Sequence, residues 1–219
     1  MKKYRGLGLL EILLVLVVVG ILAVLAAKRY KAYEFEKNVA VLKKTVATLI
    51  YSLDRYYFQT CGPQTPGGTS VNWHNASYKV AAPNETGIKL LGLTPDEVRN
   101  PFDGGLGYVF GTKDTEVDPK GGQPYYLRQL YVSLSIDKQY LGTSNLLTNN
   151  ALYFQNLFHA TSMDTSTGTL WLTWSFAPYN VNTVSMDPTD PDWILQLNTR
   201  KYLQQVDPAN PCWFPQVSS

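Results

Sequence analysis

From Leu7 to Ala27 the chain is apolar or glycine at every position but one, and the exception is Glu11. At about 1.5 Å of rise per residue, a helix over this stretch is long enough to cross the hydrocarbon core of a bilayer. The expected element is a transmembrane helix over residues 7–27. A carboxylate inside such a helix costs roughly 2.5–3.5 kcal/mol near its centre, so Glu11 calls for compensation. Two sources are available. An acid in the first turn of a helix is favoured by about 0.3–1 kcal/mol through the helix dipole alone. A cut after Gly6 would instead create a cationic α-amine on Leu7, close to Glu11. Both ends of the run are basic, so charge alone leaves the orientation ambiguous; only the leader Met1-Lys2-Lys3-Tyr4-Arg5-Gly6, through Lys2, Lys3 and Arg5, favours keeping the N-terminus on the cytoplasmic side.

Beyond Ala27 the helical pattern continues but changes character. Val39, Leu42, Val46, Leu49, Ile50, Leu53 and Tyr57 recur at three and four residues, the signature of one buried face. Glu34, Lys37, Lys44, Thr48 and Asp54 are expected opposite them. Taken from Leu7 to about Phe58, the helix would be roughly 80 Å long, far more than a bilayer needs, so residues 28–61 must pack on a globular part. Gly62-Pro63 stops the helix.

Residues 62–219 form the expected globular domain. Residues 62–105, rich in Gly, Pro, Thr and Asn, read as a loop-rich connection. Thr94-Pro95-Asp96-Glu97 has the form of a capping box and predicts a turn or two of helix from Pro95 to about Arg99. Asn100-Pro101-Phe102 follows, with Asp103-Gly104-Gly105 as a turn. Leu130, Val132, Leu134 and Ile136 alternate with polar residues and predict a half-buried strand; Leu170, Leu172, Trp174 and Phe176 predict a second, after a turn at Thr165-Ser166-Thr167-Gly168. Short strands are expected at 107–110 and 180–184. A helix from Ala151 to His159 would take Asn150 as its cap, and Pro191 to Leu203 fits either helix or strand.

The chemistry-bearing inventory is thin. No Walker loop, HExxH, GxSxG or paired-cysteine motif occurs, and neither His74 nor His159 has a nucleophile beside it in sequence, so the chain is not expected to be an enzyme or to need a cofactor. Formal net charge is only +2, with Lys and Arg gathered toward the N-terminus, which gives little support to nucleic-acid binding. Asp114, Glu116 and Asp118, and the group Asp187, Asp190 and Asp192, offer oxygens to calcium but lack EF-hand spacing; no metal site is expected. Asn75-Ala76-Ser77 and Asn84-Glu85-Thr86 match glycosylation sequons. Trp73, Trp171, Trp174, Trp193 and Trp213, with 15 Tyr, make the domain aromatic; core filling and subunit contacts explain this more simply than a carbohydrate-binding face.

The leader Lys-Lys-x-Arg-Gly, then Leu7-Gly8-Leu9-Leu10-Glu11 and an apolar run, resembles the class III signal of type IV prepilins and type II secretion pseudopilins. Gly20 and the Tyr30-x-x-Tyr33 pair sit where type IV pilins commonly have a glycine and two tyrosines. Leu7 stands where phenylalanine is commonest, and Lys28 where many major pilins have proline. The resemblance covers about residues 1–58. It implies an α+β, pilin-like fold, a long N-terminal helix laid on an antiparallel sheet. It further implies cleavage after Gly6 by a prepilin peptidase and N-methylation of Leu7. In such filaments Glu11 would register each subunit against the terminal amine of a neighbour.

The expected function is a structural subunit of a type IV pilus or pilus-like filament, held in a bacterial inner membrane with its globular domain periplasmic until assembly. Expected partners are other copies of itself, other pilins and the inner-membrane assembly machinery. A minor pilin acting as a tip adhesin and a type II secretion pseudopilin are the alternatives within the family. An ordinary secretory signal cut near Val24-Leu25-Ala26 and an uncut signal anchor are the alternatives outside it. For an exported domain, Cys61 and Cys212 are expected to form one disulfide.

Overall fold

The computed structural model describes residues 8–61, 73, 76–80, 86–102, 107–117, 125–140, 147–165, 169–178 and 204–206. The chain divides into two units, residues 1–40 and 41–219. A single helix, α1 (Leu9–Cys61), runs through the division without a break, Gly20 and Lys28 included. In the first unit every residue from Gly8 to Glu34 is exposed, and α1 there is a stretch long and apolar enough to cross a membrane.

In the second unit α1 meets a core. Of the residues expected on the buried face, Leu42, Val46, Leu49, Ile50, Leu53 and Tyr57 are buried and Val39 is half-buried; full burial of such side chains is worth about 1.5–3 kcal/mol each. Lys44 and, further back, Glu34 and Lys37 are exposed, but Asp54 departs from the expected polar face: it is fully buried. Asp54 follows Ile50 by four residues and precedes Tyr57 by three, which places it on the flank of the buried stripe rather than opposite it. The stripe is wide enough to take in Thr45 and Ala47 as well.

Among the described residues the sheet has six strands: β1 (Ser77–Val80), β2 (Tyr108–Val117), β3 (Tyr125–Ile136), β4 (Ser162–Asp164), β5 (Leu170–Phe176) and β6 (Gln204–Val206). Their order is β1-β2-β3-β5-β4, every pair antiparallel. β6 pairs with Tyr126–Arg128 of β3, while β5 pairs with Leu130–Ile136. The even-numbered positions of β2, β3 and β5 share one face. Phe110 is opposite Val132, and Val132 opposite Trp174, so one register aligns a row of buried side chains across three strands. The two strands read from alternation, at 130–136 and 170–176, are present with their apolar positions buried.

Four expectations need correction. The strand placed at 107–110 runs on to Val117, because β3 pairs with its whole length. Its inward positions turn polar at Thr112 and Asp114, which hides the continuation from an apolar pattern. The connection 62–105 contains β1 and a short helix, α2 (Thr86–Leu90). Helix α3 spans Leu147–Phe158, so Asn150 lies inside its first turn and is not the cap. Residues Pro95–Val98 form a hydrogen-bonded turn rather than a helix; Glu97 Oε2 accepts from both the Thr94 amide and its hydroxyl at 2.8 Å, which holds the Glu97 carboxyl below the usual range. The expectations at 103–105, 166–168, 180–184 and 191–203 lie outside the described residues.

Both short helices close in the same way. At α2 the Gly92 amide donates to Lys89 O and the Leu93 amide to Ile88 O. At α3 the His159 amide donates to Asn156 O and the Ala160 amide to Gln155 O. These are Schellman closures, and the residue at the turn has positive φ, 68° at Gly92 and 51° at His159. The buried indole of Trp174 also donates to Phe158 O at 3.0 Å, fixing the end of α3 to β5. Phe102, Phe154 and Phe158 pack into one aromatic cluster with Tyr140.

Candidate functional site

The residues singled out for function concentrate at the start of α1. Gly6 and Leu7 lie outside the described residues, and Gly8 precedes the helix. The Gly8 carbonyl accepts from the Glu11 amide at 2.9 Å and from the Ile12 amide at 3.2 Å, which makes Gly8 the N-cap residue. Glu11 sits three residues on and turns its carboxylate back: Oε2 accepts from the Gly8 amide at 3.0 Å. This is the reciprocal half of a capping box, formed without a serine or threonine hydroxyl because Gly8 has no side chain. The carboxylate thus lies at the positive end of the helix dipole, exposed, among Leu9, Leu10, Ile12 and Leu13, all of them also exposed.

What this arrangement can do chemically follows from that position. One oxygen of Glu11 is engaged locally, and the group remains accessible to a cation from outside the chain. Burial of the surrounding apolar surface, in lipid or against like helices, would remove water from the carboxylate and raise the worth of such a cation.

Cys61 is the last residue of α1, and Cys212 lies outside the described residues, as do His74, Asp118, Asp187, Asp190 and Asp192. His159 is the positive-φ residue that closes α3. Among the described residues no group of three His, Cys, Asp or Glu is placed to hold a metal ion.

Asp114, read as a possible calcium ligand, faces a different partner. Arg128 donates to both of its carboxylate oxygens, Nε–H to Oδ1 and Nη2–H to Oδ2, each at 2.7 Å. Both side chains are buried, Arg128 at 1% and Asp114 at 0% exposure. Arg128 Nη1–H reaches the Tyr57 hydroxyl of α1 at 3.4 Å, and its guanidinium lies 6.0 Å from the Tyr57 ring centre. Burial acts against the charge on Arg128, yet the hydrogen bonds to Asp114 and the contact with Tyr57 outweigh it and hold its pKa above the ordinary value. Burial pushes the Tyr57 phenol up to about 12, with Arg128 acting in the opposite direction.

The sequence reading missed this pair, although a signal existed. Counting back two residues from Leu130 puts Arg128 on the inward side of β3, and an inward arginine requires an acid across the sheet.

Trp73 completes the junction between α1 and the sheet. It is fully buried, stands edge-on to Tyr57 with ring centres 5.1 Å apart, and donates from its indole to Thr60 Oγ1 at 3.0 Å. The Thr112 hydroxyl donates to Trp73 O and accepts from the Ala76 amide at 3.0 Å. The neighbouring Gly111 lets β1 approach: a Cβ there would lie 1.8 Å from Ala76 O. Trp73 and Trp174 are core residues, while Trp193 and Trp213 lie outside the described residues. Set against known proteins, the chain finds no counterpart: no family model matches it, and no curated protein or solved structure is significantly similar.

Proposed function

We propose that the chain is a structural subunit of a type IV pilus or pilus-like filament, polymerised through the apolar half of α1. The observation that carries this reading is the exposure of α1 from Leu9 to Ala27, an unbroken apolar helical stretch with one carboxylate in its first turn. An apolar surface of that extent is stable in lipid or against other helices, and a subunit that moves from a membrane to a filament needs both. Polymer formation follows when each subunit offers different surfaces to the neighbours before and after it, so that the contacts never close. Glu11 then has two successive roles. In the isolated chain it caps the helix through the Gly8 amide; in the filament it meets the α-amine that cleavage after Gly6 would leave on a neighbour's Leu7.

Glu11→Gln separates these roles. Gln keeps a polar acceptor near the Gly8 amide but loses the charge, so capping alone predicts a stability change below about 1 kcal/mol and normal assembly. The filament role predicts the variant at wild-type level in the membrane and at least tenfold fewer fibres, counted on cells that make only the variant. Normal fibre numbers at normal membrane levels would leave capping as the whole function of Glu11.

A further inference from the structure

The apolar run of α1 ends in a ring of a different kind. Lys28, Arg29 and Lys31 follow Ala27 directly, with Tyr30 and Tyr33 among and beyond them, and all five are exposed. The tyrosines are accessible to 62% and 65%. At about 3.6 residues per turn, Lys31, Lys28 and Arg29 cover one half of the helix circumference while Tyr33 and Tyr30 cover the other. At about 1.5 Å per residue the five positions fill roughly 9 Å beyond Ala27, comparable with the headgroup layer of one leaflet. The acids Glu34 and Glu36 come after this band in sequence, and the Glu34 carboxylate reaches back to accept a hydrogen bond from the Tyr30 hydroxyl.

A surface that recognises one protein occupies one side of a helix. Cations and amphipathic aromatics distributed around the whole circumference match a partner that surrounds the helix, as a headgroup layer does. The charge has the right sign for anionic lipid, and it is placed where orientation alone does not require it. With the basic leader cytoplasmic, residues 28–31 emerge on the translocated side, where Lys and Arg are normally scarce.

We propose that residues 28–33 form a collar that binds anionic phospholipid headgroups and fixes the depth of α1 in the bilayer. The proposal rests on the reading of residues 7–27 as a membrane span. The aliphatic stems of Lys28, Arg29 and Lys31 run along the acyl boundary and carry their charges into the phosphate layer. Tyr30 and Tyr33 place their rings at the same boundary with the hydroxyls outward. A subunit leaving the bilayer for a filament breaks these contacts, so the collar contributes to the resistance against extraction.

The test uses the full chain reconstituted in phosphatidylcholine vesicles that carry a trace of spin-labelled phosphatidylglycerol or spin-labelled phosphatidylcholine. The ratio of the two labels immobilised at the protein gives the headgroup preference. With an upper value of about fivefold per cation near an anionic surface, a several-fold preference for phosphatidylglycerol is expected at low salt, declining as salt is raised. K28Q/R29Q/K31Q should lower the ratio to the part that the leader cations Lys2, Lys3 and Arg5 sustain at the opposite leaflet, and K28R/K31R should keep it; neither set disturbs an exposed helix, since Gln and Arg are good helix formers. An unchanged preference in the glutamine variant, or none in the native chain, overturns the collar and leaves the span intact. Failure of the native chain to insert into the vesicles at all overturns the span and the collar together.

Discussion

Arg128 holds a charge at an inward position of β3, where a buried guanidinium survives only with a matched partner. Asp114 supplies it through two parallel hydrogen bonds, and removing one member of such a pair leaves the other uncompensated. Asp114→Ala should therefore destabilise the domain by about 3–5 kcal/mol, read as a lower denaturant midpoint by tryptophan fluorescence of the full chain in detergent. A loss below about 1 kcal/mol would mean that water reaches Arg128.

Tyr57 adds a pH dependence of definite sign. Its folded pKa lies near 12 and its ordinary value is 10.0, so between these the unfolded state releases a proton that the folded state keeps. The contribution is fully present below pH 10 and is lost as pH rises toward 12, on the order of 3 kcal/mol in all. Tyr57→Phe should remove that part of the alkaline decline in a series of midpoints across the same range. An identical decline in the variant would assign it to other groups.

At the scale of elements, positive φ at His159 is a cost that the sequence retains. The Schellman closure of α3 needs a left-handed residue there, and glycine adopts that conformation freely while histidine does not. His159→Gly is expected to raise stability by about 1 kcal/mol, measured as a shift of the same unfolding midpoint. A decrease would show that the imidazole contributes more than the backbone strain removes.

The same elements show what was legible. β5 and the second half of β3 were readable because apolar and polar residues alternate and both strands have a buried face. β2 faded at Thr112 and Asp114, where hydrogen bonds replace hydrophobic burial as the reason to point inward. α2 and β1 were not legible at all. Five and four residues carry too little periodicity, and β1 depends on Gly111 of another strand, a contact that no local pattern encodes.

Across the whole molecule, the apolar stretch of α1, the amphipathic change that follows it and the single carboxylate were all readable from residue types and spacing. Asp54 was misplaced because a helical wheel gives the centre of a buried stripe better than its width. A favourable place at the positive end of the helix dipole was anticipated as one of two accounts of the carboxylate, whereas its hydrogen bond with the Gly8 amide was not; the intersubunit account concerns an assembled state and is a property of many chains. That assembled state is the centre of the functional reading, and its chemical precondition is a new N-terminus. Intact-mass and N-terminal peptide spectra of the protein from fibres sheared off the cell surface test it most directly. The expected result is a chain that begins at Leu7 with one methyl group on its α-amine. A chain beginning near Ala27 or Lys28, or one retaining Met1 to Gly6, would contradict the account.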